Sequence, residues 1–184
     1  GIHMKIYTKT GDDGSTGLFF GGRVAKDSMR PTAYGAVDEA QAALGLARVA
    51  ATNETLNKIL VGLCRDLYVA MAELATLEEN QSKLEPGKTL VTSQMVDSLD
   101  QLIDEISLRF EPLKDFVIPG QNEAAARLDW ARVVIRRAER ESLPVHSETS
   151  HVGAYLNRLS DLAWVLARWQ EDETLKSKSV PENS

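Results

Sequence analysis

A single cysteine, Cys64, excludes an internal disulfide, and with only three histidines the chain offers no Cys/His cage for a metal. No apolar run approaches the roughly eighteen residues of a membrane span, and no signal peptide is expected ahead of the first motif. A cytoplasmic protein that neither spans nor coats a membrane is expected from these absences. The net charge of −6 leaves no broad basic surface, which argues against non-specific nucleic-acid binding; an anionic ligand would need a local basic pocket. No predicted helix carries a Glu-x-x-His pair, which disfavours a di-iron bundle.

What is present is an ordinary globular balance, 43% hydrophobic and 26% charged over 184 residues, enough for one domain with a real core. Residues 5–172 are expected to form that domain. Residues 1–4 read as a tag remnant and start methionine, which discounts His3, and residues 173–184 read as a polar tail.

Five helices are predicted. The first runs from about Pro31 to Ala51, with Gly35 and Gly45 inside it, tolerable where another backbone approaches closely. The second, about Glu54 to Glu78, has the cleanest period: Leu56, Leu60, Leu63, Leu67, Ala70, Leu74 and Leu77 alternate steps of four and three, with Cys64 packed beside them. Thr92 or Ser93 caps the third, whose seam is Val96, Leu99, Ile103, Ile106 and Phe110, and Pro112 marks its end. The fifth, about Ser150 to Glu171, places Val152, Tyr155, Leu159, Leu162, Leu166 and Trp169 on its seam and Asn157, Asp161 and Arg168 on a polar face. Near-heptad seams and short links predict an all-α, antiparallel five-helix bundle. Val69, Val134 and Val165, beside the seams, are expected to leave surface for a partner subunit.

The fourth helix organises the rest. Phe116, Val117 and Ile118 make a short extended run closed by Pro119 and Gly120, and Asn122 caps a helix whose seam is Ala124, Leu128, Ala131, Ile135 and Ala138. Arg132, Arg136 and Arg140 fall four apart on one stripe, with Arg137 beside them. A solvated face paired to Glu139 and Glu141 is one account of the stripe. Planar forks for gripping phosphate or carboxylate are the other.

At the opposite end, Lys5 to Thr10 is β-prone, and the segment GDDGSTGLFFGG that follows is rich in glycine and hydroxyls. Its amides could surround phosphate oxygens, with Arg23 and Lys26 close behind, yet it lacks a Walker ending and is not GxGxxG. A tight surface turn is the alternative. His146 and His151, five apart near a loop, are expected at the surface.

Four separated blocks together resemble the PduO-type ATP:cob(I)alamin adenosyltransferases, or corrinoid adenosyltransferases: YTKTGDDGSTGL with GGRVAKD, YGAVDEAQAALGLAR, FVIPG with ARVVIRRAER, and YLNRLSD. They occur in the family's order and cover the chain from Lys5 to about Arg168. The resemblance implies a homotrimer with an active site at each subunit interface, ATP and cobalamin as substrates, and Mg²⁺ held mainly through ATP. Carried over position by position, Thr8, Lys9, Thr10, Gly11, Thr16, Gly17 and Lys26 would contact ATP. Arg136, Arg137, Glu139, Arg140 and Asn157 of the neighbouring subunit would complete that site. Asp38 and Arg132 match an ion pair across the interface, and Phe116 matches the aromatic residue beneath the corrin.

The chemistry so implied needs no protein nucleophile: reduced cobalt attacks the ribose 5′ carbon of ATP and triphosphate leaves. Placement and charge stabilisation are what a protein must supply. A reductase and a cobalamin-dependent acceptor enzyme are implied as partners. Gln121 stands where many members have a second glycine, and Ala163 and Trp164 replace residues commonly bulky and aromatic. A non-catalytic corrinoid- or nucleotide-binding carrier, or a helical scaffold with no small ligand, are the competing functions.

Overall fold

A computed structural model describes residues 4–171; the expected tag remnant at 1–3 and the polar tail at 173–184 lie outside the described residues. The chain is mostly helical: α1 (Met29–Ala50), α2 (Glu54–Leu74), α3 (Ser93–Ser107), α4 (Glu123–Ser142) and α5 (Val152–Gln170), with a short 3-10 helix at Glu78–Lys83. Ahead of them, β1 (Ser15–Gly17) and β2 (Arg23–Ala25) form a two-stranded antiparallel ribbon with Thr16 opposite Val24.

Caps set three of the helix starts. The side chains of Asn53, Thr92 and Asn122 accept from the backbone N–H of Leu56, Met95 and Ala125, each filling one of the donors a helix start leaves open. Helix α2 stops at Leu74, four residues before the expected Glu78, because its last turn finds other partners. Thr76 Oγ1 donates to Ala72 O at 2.8 Å, and the Ala75 carbonyl accepts from Phe19 N at 3.1 Å. The ribbon therefore closes the end of α2.

Helix directions follow from cross-helix hydrogen bonds. Between α1 and α2 the pairs are Arg48–Asn57, Gln41–Cys64 and Arg30–Leu74, one number rising as the other falls. The same inverse order joins α1 to α4 (Glu39–Arg137, Leu46–Arg127) and α2 to α5 (Asp66–Tyr155, Glu73–Ser150). Helices α3 and α5 run the same way, since Asp100 meets Arg158 while Phe110 meets Trp164. Helix α4 packs on both α1 and α5, with α2 against α1 and α3 against α5.

The core is the seams, closed up. Leu56, Leu60, Leu67, Leu128, Ile135 and Leu159 have no accessible surface. Such side chains contribute about 1.5–3 kcal/mol each on burial. Val69, Val134 and Val165 are buried in this core, so they do not supply the subunit surface expected of them. The expected close approach at Gly35 and Gly45 is also missing: within the protomer nothing lies within 4 Å of a Cβ built on either. Lys5 to Thr10 forms no strand, being exposed with no neighbouring edge to pair with.

Candidate active site

The N-terminal segment owes its shape to its glycines. Gly14, Gly21 and Gly22 have φ of +86°, +107° and +96°, values L side chains rarely adopt, and a Cβ on Gly22 would lie 2.8 Å from Leu77. Leu18 is buried and pins the ribbon to the bundle. Arg23 then staples the preceding loop, its Nη2 donating to Thr10 O at 3.0 Å and to Ser15 Oγ at 2.8 Å. Asp13 accepts from the Ser15 amide and hydroxyl, which holds its carboxyl below the ordinary range.

The product is an open polar depression of about 340 Å³, formed by residues 7–12 and 15–17 with Arg23 and Lys26. All seven residues predicted for this side of the site, Thr8, Lys9, Thr10, Gly11, Thr16, Gly17 and Lys26, line it. A Cβ on Gly11 would meet Ser15 O at 3.0 Å and Lys26 Nζ at 3.1 Å, so glycine there lets the ammonium reach in. Lys9 adopts φ +63°, a left-handed conformation that costs a non-glycine residue of order 1 kcal/mol or more. Three cations and several hydroxyls around one depression suit a polyanion. Arg23 belongs to the constellation too, in keeping with its place close behind the loop, although the residues carried over from the family resemblance left it out.

The arginines of α4 divide. Arg136 and Arg140 are exposed and have no carboxylate in ion-pair range among the described residues; Glu139 and Glu141 do not pair with them. Arg137 donates to Glu39 of α1 in its own protomer. Arg132 is half-buried, its Nε 3.4 Å from Asp129 Oδ1. Asn157 is half-buried and accepts from Arg158 Nη1 at 2.8 Å. None of these residues lines the depression, so one protomer does not bring the two halves of the predicted site together. Nor does it pair Asp38 with Arg132. The α1–α4 register puts Asp38 level with about residue 137, one and a half turns or about 7 Å beyond Arg132.

Phe116 is 83% exposed on the α3–α4 connection, an apolar ring with no cover. Gly120 turns there with φ +106°, and Gln121 beside it is exposed. Trp164 is occupied within the protomer, edge-on to Phe110 and under the Arg168 guanidinium.

Two expectations need correction. Arg168 is not on a polar face: it is 2% exposed and donates to Asp129 Oδ2 at 2.5 Å and Glu171 Oε1 at 2.9 Å. His146 is not a surface residue either; it is half-buried against Gly153, with Nε2 unpartnered. It borders a larger cavity of about 700 Å³ between the start of α1, the end of α2 and the α4–α5 connection. None of the predicted site residues lines that cavity. Among the described residues no cluster of His, Cys, Asp or Glu could hold a metal ion, and no helix is long and apolar enough to cross a membrane.

The family model for cobalamin adenosyltransferase matches residues 6–170, nearly all of the described chain. The chain belongs to the cobalamin adenosyltransferase family. A corrinoid adenosyltransferase of Citrobacter freundii is 39% identical over 173 residues, which covers 91% of this chain and 95% of that protein. The corrinoid adenosyltransferase PduO of Salmonella typhimurium is 39% identical over 98% of this chain, but only 54% of its own length is matched. The chain thus spans about half the length of the PduO relatives it matches. Structures of two variants of the PduO-type ATP:corrinoid adenosyltransferase from Lactobacillus reuteri, complexed with cobalamin and ATP, share its fold. Their TM-scores are 0.83 and 0.84 at 28% identity, over 94% of this chain and 95% and 98% of theirs.

Proposed function

We propose that the chain transfers the 5′-deoxyadenosyl group of ATP to cob(I)alamin, giving adenosylcobalamin and triphosphate. The filled cobalt orbital forms a bond to the ribose 5′ carbon as the bond from that carbon to oxygen breaks, its electron pair leaving with triphosphate. One observation carries this reading. Each protomer displays a polycationic depression and, on a different surface, exposed arginines without partners among the described residues: two half-sites for one polyanion.

A homotrimer joins them. The triphosphate lies on Thr8, Lys9, Thr10, Gly11, Thr16, Gly17 and Lys26 of one protomer, with Arg23 shaping the loop. Arg136, Arg137, Glu139, Arg140 and Asn157 come from the next. Mg²⁺ is carried on the polyphosphate oxygens, where its charge adds to that of the guanidinium groups. Asp38 of one protomer meets Arg132 of another, and Phe116 covers the lower face of the corrin, keeping water from cobalt. The apparatus is a single helical domain, residues 5–172, acting in the cytoplasm, fed by a reductase and drained by a cobalamin-dependent enzyme.

The test is anaerobic incubation of the protein with ATP, Mg²⁺ and chemically reduced cobalamin. Adenosylcobalamin and triphosphate should form in equal amounts. A folded sample that makes neither would sink the proposal, and one that binds both substrates without turnover would be a carrier instead.

A further inference from the structure

Asp129 lies one turn before Arg132 on α4, is buried, and turns its two carboxylate oxygens to different arginines. Oδ2 accepts from Arg168 Nη2 at 2.5 Å, and Oδ1 stands 3.4 Å from Arg132 Nε. Arg168 is itself held fast. Its side chain is 1% exposed, it also donates to Glu171, and its guanidinium sits 5.3 Å over the Trp164 ring. A carboxylate clamped by such a group cannot swing, so its free oxygen is a fixed point behind Arg132.

The other side of Arg132 is open. Its Nε is spent on Asp129, while Nη1 and Nη2 meet no partner among the described residues. The five donors of a guanidinium lie in one rigid plane. Holding Nε from within therefore decides where the two outer nitrogens face. Because Asp129 is three residues away on the same helix, the aim is built into α4 before any subunit or ligand arrives.

We infer that Asp129 is a positioning residue for adenosyl transfer: clamped by Arg168 from α5, it orients the Arg132 guanidinium outward to the Asp38 carboxylate of the next protomer at the interfacial site. The inference rests on the adenosyl-transfer reading above, in which those two residues meet. Asp129 touches neither substrate. Its effect reaches the reaction through Arg132 alone, where a misplacement of about 1 Å costs up to roughly 100-fold in rate. If Asp129 served only to neutralise Arg168, the two roles would come apart when both charges are removed together.

The experiment uses the full chain. Asp129→Leu combined with Arg168→Met replaces the buried pair with apolar groups and removes both charges together, while Glu171 loses its bond from Arg168. We expect a folded protein whose KM for ATP is unchanged, with kcat for adenosylcobalamin formation lower by about 10- to 100-fold. In an Arg132→Ala background the same pair should cause no further loss, because the residue being aimed is gone. Wild-type kcat in the paired variant, beside a strong defect in Arg132→Ala, overturns the positioning role and leaves adenosyl transfer intact. An equal loss in both backgrounds overturns it as well. Wild-type turnover in Arg132→Ala instead removes the reading on which the inference stands. Should the paired variant not fold, Asp129→Glu keeps the charge on Arg168 while displacing the oxygen behind Arg132. Lowered kcat at unchanged KM supports the role, and wild-type kcat ends it.

Discussion

The carboxylate of Glu73, in the last turn of α2, accepts from the hydroxyl of Ser150, two residues before α5, and from the backbone N–H of Val91 at 2.9 Å. It thereby ties the end of α2 to the segment entering α3 and to the connection between α4 and α5. Glu73 is 4% exposed, and burial raises its pKa above the ordinary 4.5 even though both hydrogen bonds and the nearby His146 and His151 favour the charged form.

The sign of that shift makes a prediction. An acid whose pKa is higher in the folded state binds more protons folded than unfolded. Its contribution therefore falls as pH rises from about 4.5 through the raised value, and is level above it. Asp66, raised by burial against its bond from Tyr155, adds a slope of the same sign. Glu73→Gln, which cannot ionise, should gain stability relative to wild type as pH rises across this window. Thermal unfolding of both proteins between about pH 4.5 and about pH 8 checks it; parallel profiles would contradict the assignment.

Arg168 is enclosed between two carboxylates, its side chain 1% exposed against Asp129 at 8% and Glu171 at 0%. Arg168→Ala should cost about 3–5 kcal/mol, because it removes the guanidinium clamping the buried Asp129 carboxylate, whereas a surface pair such as Arg109–Glu105 should cost no more than about 1 kcal/mol. Urea unfolding of the two variants separates them by their midpoints.

Gly11→Ala should lower the thermal midpoint slightly and weaken ATP binding. Its Cβ stands 3.0 Å from the backbone Ser15 O, so the loop must shift, and 3.1 Å from Lys26 Nζ, which is pushed aside. Withdrawing one charge-assisted contact costs about 1.5–3 kcal/mol, roughly a 10- to 100-fold change in Kd by titration calorimetry.

Arg136→Ala should weaken ATP by a similar amount, about 1.5–3 kcal/mol, with circular dichroism and unfolding unaltered, since the guanidinium has no partner among the described residues of its own protomer. Arg137→Ala also breaks a contact to Glu39 on α1, so a small loss of stability should accompany its effect on binding. Wild-type ATP affinity in Arg136→Ala would count against the interfacial site.

Helices α2 to α5 were legible because each carries an unbroken period, whereas α1 was placed from Pro31 at its start. The seams of α2 and α4 named from spacing are buried, apart from Leu77, which lies beyond the end of α2. The lining of the depression was named only through the family resemblance: by residue types alone a tight surface turn stood beside a phosphate loop, because both use glycines and hydroxyls. Less could be read where a polar residue's fate depended on another element. Spacing put Arg168 beside Asn157 and Asp161, yet α4 presents Asp129 to it and the guanidinium is enclosed.

By itself the sequence determined the seams, the caps at Asn53, Thr92 and Asn122, and the four blocks that mark the family, since each depends on residues within a turn or two of one another. Tertiary structure alone decided how wide each buried stripe is, drawing Val69, Val134 and Val165 inward, and which charges are enclosed, namely Glu73, Asp129 and Arg168. The reason is range. A periodic pattern reports which way one helix faces, but desolvation and ion pairing are set by what the neighbouring helices bring, at separations such as the 39 residues between Asp129 and Arg168.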